Sequence, residues 1–485
     1  MVRLGMITNK IGYKVYSNKP FAIWANSRII NERLSANSYN QDYLDFAKAK
    51  NTFNFKKVSD IAIVTAMIGW KGLTTDDYVD EDGVYLLRTV DIKDNYIDLE
   101  NAIMAKREKV YEQPQIILKQ GDIIFSKDGT LGITAIVPRH QNKEMCVGST
   151  LARIRLNSNL DNYYVCAAFM SKIVQAQIGY FTSGIAQPHI TQEYINKLEI
   201  PIPSPEIQKY IGDKIRKAEE LREEAKRLKK DAEEIFYEAI EIDKLNSKLI
   251  KVTKFSWIKE NQIEDRLDLK YNSPSIITIY EHFRKYKCSL LKDEFKTISG
   301  YAFSSGDFDD MDGEKVIKIG DISDFTIDTT SLTRVKIGTK VKERIREFSC
   351  NIQDLVYAMT GATIGKVAMY IDNETVYINQ RVACIKPKRN NIPTGYLLLY
   401  LNSDIGKEIS YSLSTGVAQP NIALEELNNI VIPQLANNIM DKIHHNVLNS
   451  LIKHKESKQL IQEAKQDVED LIEGNFDMSK VKANS

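Results

Sequence analysis

Thr182-Ser-Gly-Ile-Ala-Gln-Pro-His-Ile190 returns later in the chain as Ser414-Thr-Gly-Val-Ala-Gln-Pro-Asn-Ile422. The offset from Gly184 to Gly416 is 416 − 184 = 232, and it persists on both sides. Upstream, Trp24 matches Trp257 and Glu32-Arg33-Leu34 matches Asp265-Arg266-Leu267. Asp122-Ile123-Ile124-Phe125 then matches Asp354-Leu355-Val356-Tyr357. A glycine loop follows, Gly129-Thr-Leu-Gly132 against Gly361-Ala-Thr-Ile-Gly365, one residue longer in the second copy. Downstream, Glu193 matches Glu425 and Ile200-Pro201 matches Ile432-Pro433. Collinear matches at a nearly constant offset are the mark of a tandem duplication, and a period this long means repeated domains rather than a solenoid.

Within each copy the apolar pattern is that of a mixed α/β globule. Gly121 to Phe125 reads as a turn and a strand, Ile133 to Val137 as the next strand, and the glycines between them as a tight connection. Leu355 to Ala358 and Lys366 to Tyr370 repeat this, and helices are expected over Tyr163–Val174 and Tyr396–Ile409. In Gly-x-Ala-Gln-Pro the expected role is structural: a glycine turn, a proline that blocks helix, and then a helix capped by Thr191.

After Pro205 and again after Pro433 the pattern changes. Ile211, Ile215, Ala218, Leu221, Ala225, Leu228, Ala232, Ile235, Ala239 and Ile242 recur at alternating steps of three and four, with charged residues between them. Ile439, Ile443, Val447, Leu451, Ile461, Ala464, Val468 and Leu471 do the same, with a weaker middle near His454 and Ser457. Such heptad seams cannot stay wet. Each helix can pack on its own domain, but mutual antiparallel packing, with the pair as a rigid spacer, is the expectation that suits a duplicated chain. The fold class is thus mixed α/β (α+β): two homologous globular domains, two long helices forming an antiparallel coiled coil, and a pseudo-twofold internal repeat. The boundaries are 1–19 (no role assigned), 20–203, helix 204–250, 251–433, helix 434–474 and tail 475–485.

Of the 485 residues, 43% are hydrophobic and 27% charged, a globular composition. Lys+Arg (66) and Asp+Glu (65) nearly cancel, so any basic surface must be local. Cys146, Cys166, Cys288, Cys350 and Cys384 are scattered and never spaced C-x-x-C, so neither a disulfide framework nor a zinc site is expected. With no signal peptide and no membrane-length apolar run, a cytoplasmic protein is expected.

No catalytic or metal constellation is found. Gly361 to Val367 departs from a phosphate loop in both spacing and its final residue, and the six histidines lack metal spacing, His444-His445 reading as solvated helix surface. A binding role fits better. Arg88, Ser126, Lys127 and Thr130 in the first copy, and Lys318, Thr360, Thr363, Lys366, Gln380 and Arg381 in the second, fall at strand ends and loops. Such side chains can hold phosphates or read base edges, Arg and Lys at guanine, Gln and Asn at adenine. Framework positions repeat while loops diverge: Ser126-Lys127-Asp128 becomes Ala358-Met359-Thr360.

The ordered set G-D-I-I-F, G-x-x-G, S-G-I-A-Q-P-H-I, L-E-I-P-I-P and a long charged helix, given twice, resembles the specificity subunit of Type I restriction–modification systems from about Phe21 to Leu471. The resemblance implies two target-recognition domains reading the halves of a bipartite double-stranded DNA site. It implies helices that dock two methyltransferase subunits, with two restriction/translocase subunits able to join. It implies no cofactor on this chain, S-adenosylmethionine, ATP and magnesium being used by the partners, and no catalysis by the chain itself. Open alternatives are a recognition subunit of another methyltransferase-based phage-defence system without a nuclease, a coiled-coil adaptor, or an enzyme with a site between the repeats.

Overall fold

The structure, a computed structural model, describes residues 40–67, 72–138, 143–184, 187–250, 268–309, 312–338, 342–343, 345–389, 391–416 and 420–482. Segment 1–19, the Trp24/Trp257 and 32–34/265–267 matches, and the first residues assigned to each recognition domain lie outside the described residues. The chain divides into two compact units: residues up to Arg222 with those from Lys455 onward, and Glu223 to His454. The division runs through both long helices rather than at their ends.

Each unit contains the same two larger sheets, besides a two-stranded one (Phe55–Lys57 with Glu199–Pro201, and Lys287–Leu290 with Val431–Gln434). In the first, an antiparallel sheet has the order Ala62–Ala66, Leu151–Leu156, Ile123–Ser126, Thr134–Ile136. The second unit repeats it as Phe295–Ser299, Val382–Pro387, Leu355–Ala358, Val367–Met369. Ile123–Ser126 and Leu355–Ala358 are buried along their whole length. That explains their unbroken apolar runs, since both faces are covered. The other sheet runs Met145–Val147, Val84–Leu87, Ile103–Ala105, Tyr78–Val79 in the first unit. It runs Val376–Ile378, Glu314–Ile317, Thr333–Val335, Phe308–Asp309 in the second, with the first two strands parallel in both. The second unit adds an edge strand, Ser349–Cys350, where the first has only an isolated bridge from Ile117 to Cys146.

The duplication reaches single hydrogen bonds. The buried Tyr164 hydroxyl donates to Pro201 O at 2.7 Å, and Tyr396 donates to Pro433 O in the second unit. The helices expected over 163–174 and 396–409 are each two helices. Asn162–Met170 and Lys172–Phe181 meet at Ser171, and Thr394–Asn402 and Asp404–Leu413 meet at Ser403. Both serines are extended, and their hydroxyls donate back to Ala168 O and Tyr400 O at 2.6 Å. A local side-chain bond has replaced the helical ladder there.

The long helices are Pro205–Ala239 and Asn437–Glu473. In the first unit Tyr210 meets Phe476, while Lys214 pairs with Asp467 (2.6 Å) and Glu463 (3.2 Å). In the second, Glu224 pairs with Lys453, and the Ser450 hydroxyl donates to Ala225 O. Rising numbers in one helix meet falling numbers in the other, so the pair is antiparallel. Packing on a neighbour and packing on the domain are not alternatives. Ile207, Ile211, Ile215 and Ala218 share one core with Ile461, Ala464 and Val468 and with the first domain. Ala232, Phe236 and Ile240 share another with Met440, Ile443, Val447 and the second domain.

The expected seam holds to Ala232, with Leu228 half-buried, and then drifts. Phe236 and Ile240 are fully buried where Ile235 and Ala239 were expected, and Met440 and Ile472 replace Ile439 and Leu471. A straight helix advances 3.6 residues per turn, and the domain face below pulls the buried stripe off the heptad. Ile242 is not on the helix at all: Glu241 is left-handed (φ 52°), and a separate helix, Ile242–Leu249, follows.

Each long helix is keyed to the domain before it. Asp161 caps the helix Asn162–Met170, accepting from Tyr163 N and Tyr164 N, and is gripped by Arg216. Gly212 leaves room for that carboxylate, because a Cβ there would collide with it. In the second unit Pro393 offers no side-chain cap, and His444 supplies one: Gly395 N donates to its Nδ1 at 3.0 Å. His444 is therefore not the solvated surface expected from sequence.

Burial, with His445 adding, holds the His444 imidazole below its ordinary value, against the pull of Asp441. A base whose folded value is depressed contributes stability that is present above the unfolded value, about 6.5. That contribution is lost as pH falls from there toward the folded value. Buried His282 is shifted the same way by burial, with a further push from Lys285 and Lys248 against Ile240 O and Glu241. Thermal melts between about pH 8 and about pH 5.5 should show stability declining on acidification, and His444→Asn, which keeps an acceptor without a titrating ring, should flatten the slope.

Among the described residues, no helix is long and apolar enough to cross a membrane.

Candidate nucleic-acid interface

In the first unit the glycine loop after Ile123–Ser126 is built jointly with the Gly-x-Ala-Gln-Pro segment. Gly129 N donates to Pro188 O at 3.0 Å, Ile190 N donates to Lys127 O at 2.9 Å, and Ser183 and His189 exchange backbone bonds. His189 Nε2 also meets the Ser183 hydroxyl at 3.0 Å. The second unit repeats the arrangement through Gly361 N to Pro420 O, Ile422 N to Met359 O, and the Thr415–Asn421 pair. Gly129, Gly184, Gly361 and Gly416 all have φ between +74° and +84°. A side chain is strained there, and a Cβ on Gly184 would also strike Gln187 O. The two motifs that looked separate in sequence are one pinned assembly. Thr191 caps the next helix as expected, accepting from Tyr194 N.

A second loop joins this assembly in each unit. In the first, Lys127 N donates to Thr150 O, and the Thr150 hydroxyl meets that of Thr89 at 3.0 Å. This places the turn Arg88–Asp91 beside the glycine loop. In the second, Asn379 N donates to Ile317 O and Met359 N to Arg381 O, so Lys318, the 379–381 turn and the Thr360–Lys366 loop are neighbours. The ten residues picked from sequence thus fall into one loop cluster per unit.

Their side chains divide by what already holds them. Ser126 is fully buried; its hydroxyl donates to Thr130 O (2.6 Å) and accepts from Ile133 N (2.8 Å). The expectation that Ser126 reaches DNA is corrected: it closes the turn. Arg88 is half-committed, with Nε and Nη2 on the Asp91 carboxylate at 3.0 Å and Nη2 also on Asn101 O. Lys127 pairs with Asp128 at 2.6 Å. Lys318 Nζ lies 4.0 Å from the centre of the Phe308 ring. Thr360 precedes the turn Gly361–Thr363, and the Thr363 hydroxyl donates back to Thr360 O. Thr130, Gln380 and Arg381 are exposed, and Lys366 is half-buried.

Gly361–Thr363 is a single turn between two antiparallel strands, not a phosphate loop opening a helix. In the first unit Met67, Leu73, Tyr78, Leu86, Arg88 and Thr89 line a cleft of about 370 Å³. Thr150 was not singled out in the sequence, whereas Ser183, His189 and Asn421 lie in or beside the repeated Gly-x-Ala-Gln-Pro segments, whose expected role was structural.

The chain is 22% identical over 366 residues to the Type I restriction enzyme EcoBI specificity subunit of Escherichia coli, spanning 73% of this chain and 70% of that protein. The S subunit of the Type I restriction-modification system from M. genitalium aligns with 88% of this chain and 97% of its own, at 14% identity and a TM-score of 0.44. The HsdS subunit from Thermoanaerobacter tengcongensis aligns with 87% and 97%, at 15% identity and a TM-score of 0.28. The family described as Type I restriction modification DNA specificity domain matches twice, over residues 80–234 and 284–466. With that domain present in both copies of its repeat, the chain belongs to this family and is a Type I restriction–modification specificity subunit.

Proposed function

We propose that each unit reads one half of a bipartite double-stranded DNA target through its own loop cluster, and that the long helices dock methyltransferase subunits. The observation that carries this reading is the contrast within each cluster. The backbone pins are the same in both units, while the side chains on them differ, Lys127, Asp128 and Thr130 against Met359, Thr360 and Ala362. A shared frame bearing different donors and acceptors is what two readings of different sequence require.

On this reading the chain is not an enzyme and holds no cofactor. Two methyltransferase subunits supply S-adenosylmethionine chemistry at adenine, and two restriction/translocase subunits use ATP and magnesium, all in the cytoplasm.

Exchange of residues 21–202 for those of a relative, with an aspartate kept at position 161 so that Arg216 still finds its partner, tests the proposal. Methylation mapping in host DNA should show a new motif in one half-site only. A change in both halves contradicts independent reading, and an unchanged motif contradicts reading by this unit.

A further inference from the structure

Cys350, Asp354 and Cys384 are too far apart in sequence to suggest a ligand set, yet the second unit buries them together. Their donor atoms all lie within 4.8 Å of one another. The three residues are 0%, 6% and 0% exposed. Cys384 Sγ lies 3.7 Å from Asp354 Oδ2, and both thiols are free. The strands explain the convergence. Cys350 ends the extra edge strand, Asp354 stands just before Leu355–Ala358, and Cys384 faces Val356 from the neighbouring strand.

We propose that these three side chains form a binding site for a thiophilic divalent cation of the zinc type. Zinc takes thiolate sulfur at about 2.3 Å and carboxylate oxygen at about 2.0–2.2 Å, so a tetrahedral S···O edge is about 3.5 Å. The observed 3.7 Å is already close to that edge. On binding, each thiol releases its proton to solvent and its sulfur lone pair goes to the metal. Two thiolates and one carboxylate around a dication leave one negative charge. Lys386 Nζ, 3.5 Å from the Asp354 carboxylate, balances it. Asp354 Oδ2 also accepts from Asn351 N at 2.8 Å, which orients the carboxylate as an outer partner should.

The first unit supplies the contrast. Its matching carboxylate, Asp122, takes the corresponding turn bond from Lys119 N. It is neutralised from within by Arg155, at 2.6 and 2.7 Å. Arg153 faces Ile124 where Cys384 faces Val356, and Leu118 stands at the position of Cys350. One copy fills this place with arginine, and the other replaces an arginine and a leucine with thiols. A bound cation would tie the edge strand of one sheet to two strands of the other, three residues from Arg381.

The test uses the full chain, reduced and stripped of metal, titrated with zinc against a chromophoric chelator and with cobalt as a spectroscopic probe. One equivalent should bind, with a sulfur-to-cobalt charge-transfer band. Cys350→Ser and Cys384→Ser should each weaken binding by more than the ~10–100-fold that outer-shell changes cost, while Cys146→Ser, Cys166→Ser and Cys288→Ser leave it unchanged. Should the two site variants fail to fold, X-ray absorption of the zinc-loaded wild type replaces them: the metal should show two sulfur ligands. Failure of the reduced, folded wild type to take up zinc overturns the proposal. So does a bound metal without two sulfur ligands, undiminished binding in the folded site variants, or a Cys350–Cys384 disulfide in place of metal.

Discussion

Phe236→Ala should destabilise the second unit by about 3–5 kcal/mol, the usual loss for emptying a large aromatic site in a core. Phe236 is fully buried and lies on the long helix Pro205–Ala239. Its ring meets Tyr396 edge-on at 6.1 Å and Tyr400 at 6.3 Å. Both tyrosine hydroxyls are tied to backbone carbonyls, of Pro433 and Val431, so they cannot swing in to fill the void. Met440, Ile443 and Val447 from the second long helix border the same core. The repeat provides an internal control. Val468 stands at the equivalent place in the first unit and is equally buried. Val468→Ala removes two carbons rather than a ring, so its loss should be smaller, at about 0.8 kcal/mol per methylene-sized group plus a cavity contribution. Urea titration of each variant checks both, and a Phe236→Ala loss no larger than that of Val468→Ala would show that the helix does not rest on this ring.

Arg381→Ala should cost about 1–3 kcal/mol of discrimination in one half-site, the worth of a bidentate base contact. Arg381 is exposed at the turn before the strand Val382–Pro387, and its carbonyl is pinned by Met359 N, so the side chain projects from a fixed backbone. Lys366, half-buried beside the glycine loop, is expected to act on phosphate instead. Lys366→Ala should weaken binding to all sequences alike and lower the salt slope by about one. Binding assays of the assembled complex on matched and mismatched duplexes at several salt concentrations separate the two roles. Equal losses on cognate and mismatched DNA for Arg381→Ala would remove it from base reading.

The repeat was legible because it is written in residue identities. Gly184 and Gly416 share a backbone conformation that excludes other residues, and Tyr164 and Tyr396 make the same buried bond. The long helices were legible because a seam has a period. Their detailed register was not, since the buried stripe at Phe236 answers to Tyr396 and Tyr400, far away in sequence. The helix breaks at Ser171 and Ser403 were equally hidden, because a serine that turns its hydroxyl back on the chain looks like any polar residue in a helix. The loop residues were found by position at strand ends, but position does not reveal commitment. Ser126 and Arg381 look alike in the sequence, and burial alone separates them.

The two docks between domain and helix bear on heredity. Asp161 is answered by Gly212 and Arg216, and Gly395 by His444, so each globule carries the lock for the opening turns of the rod encoded behind it. Gene exchange that breaks at the end of a globule strands a carboxylate or an uncapped amide. Crossovers that create new specificities without loss of fold should therefore fall inside the helical segments, beyond codon 216 or codon 444, where lock and key travel as one cassette.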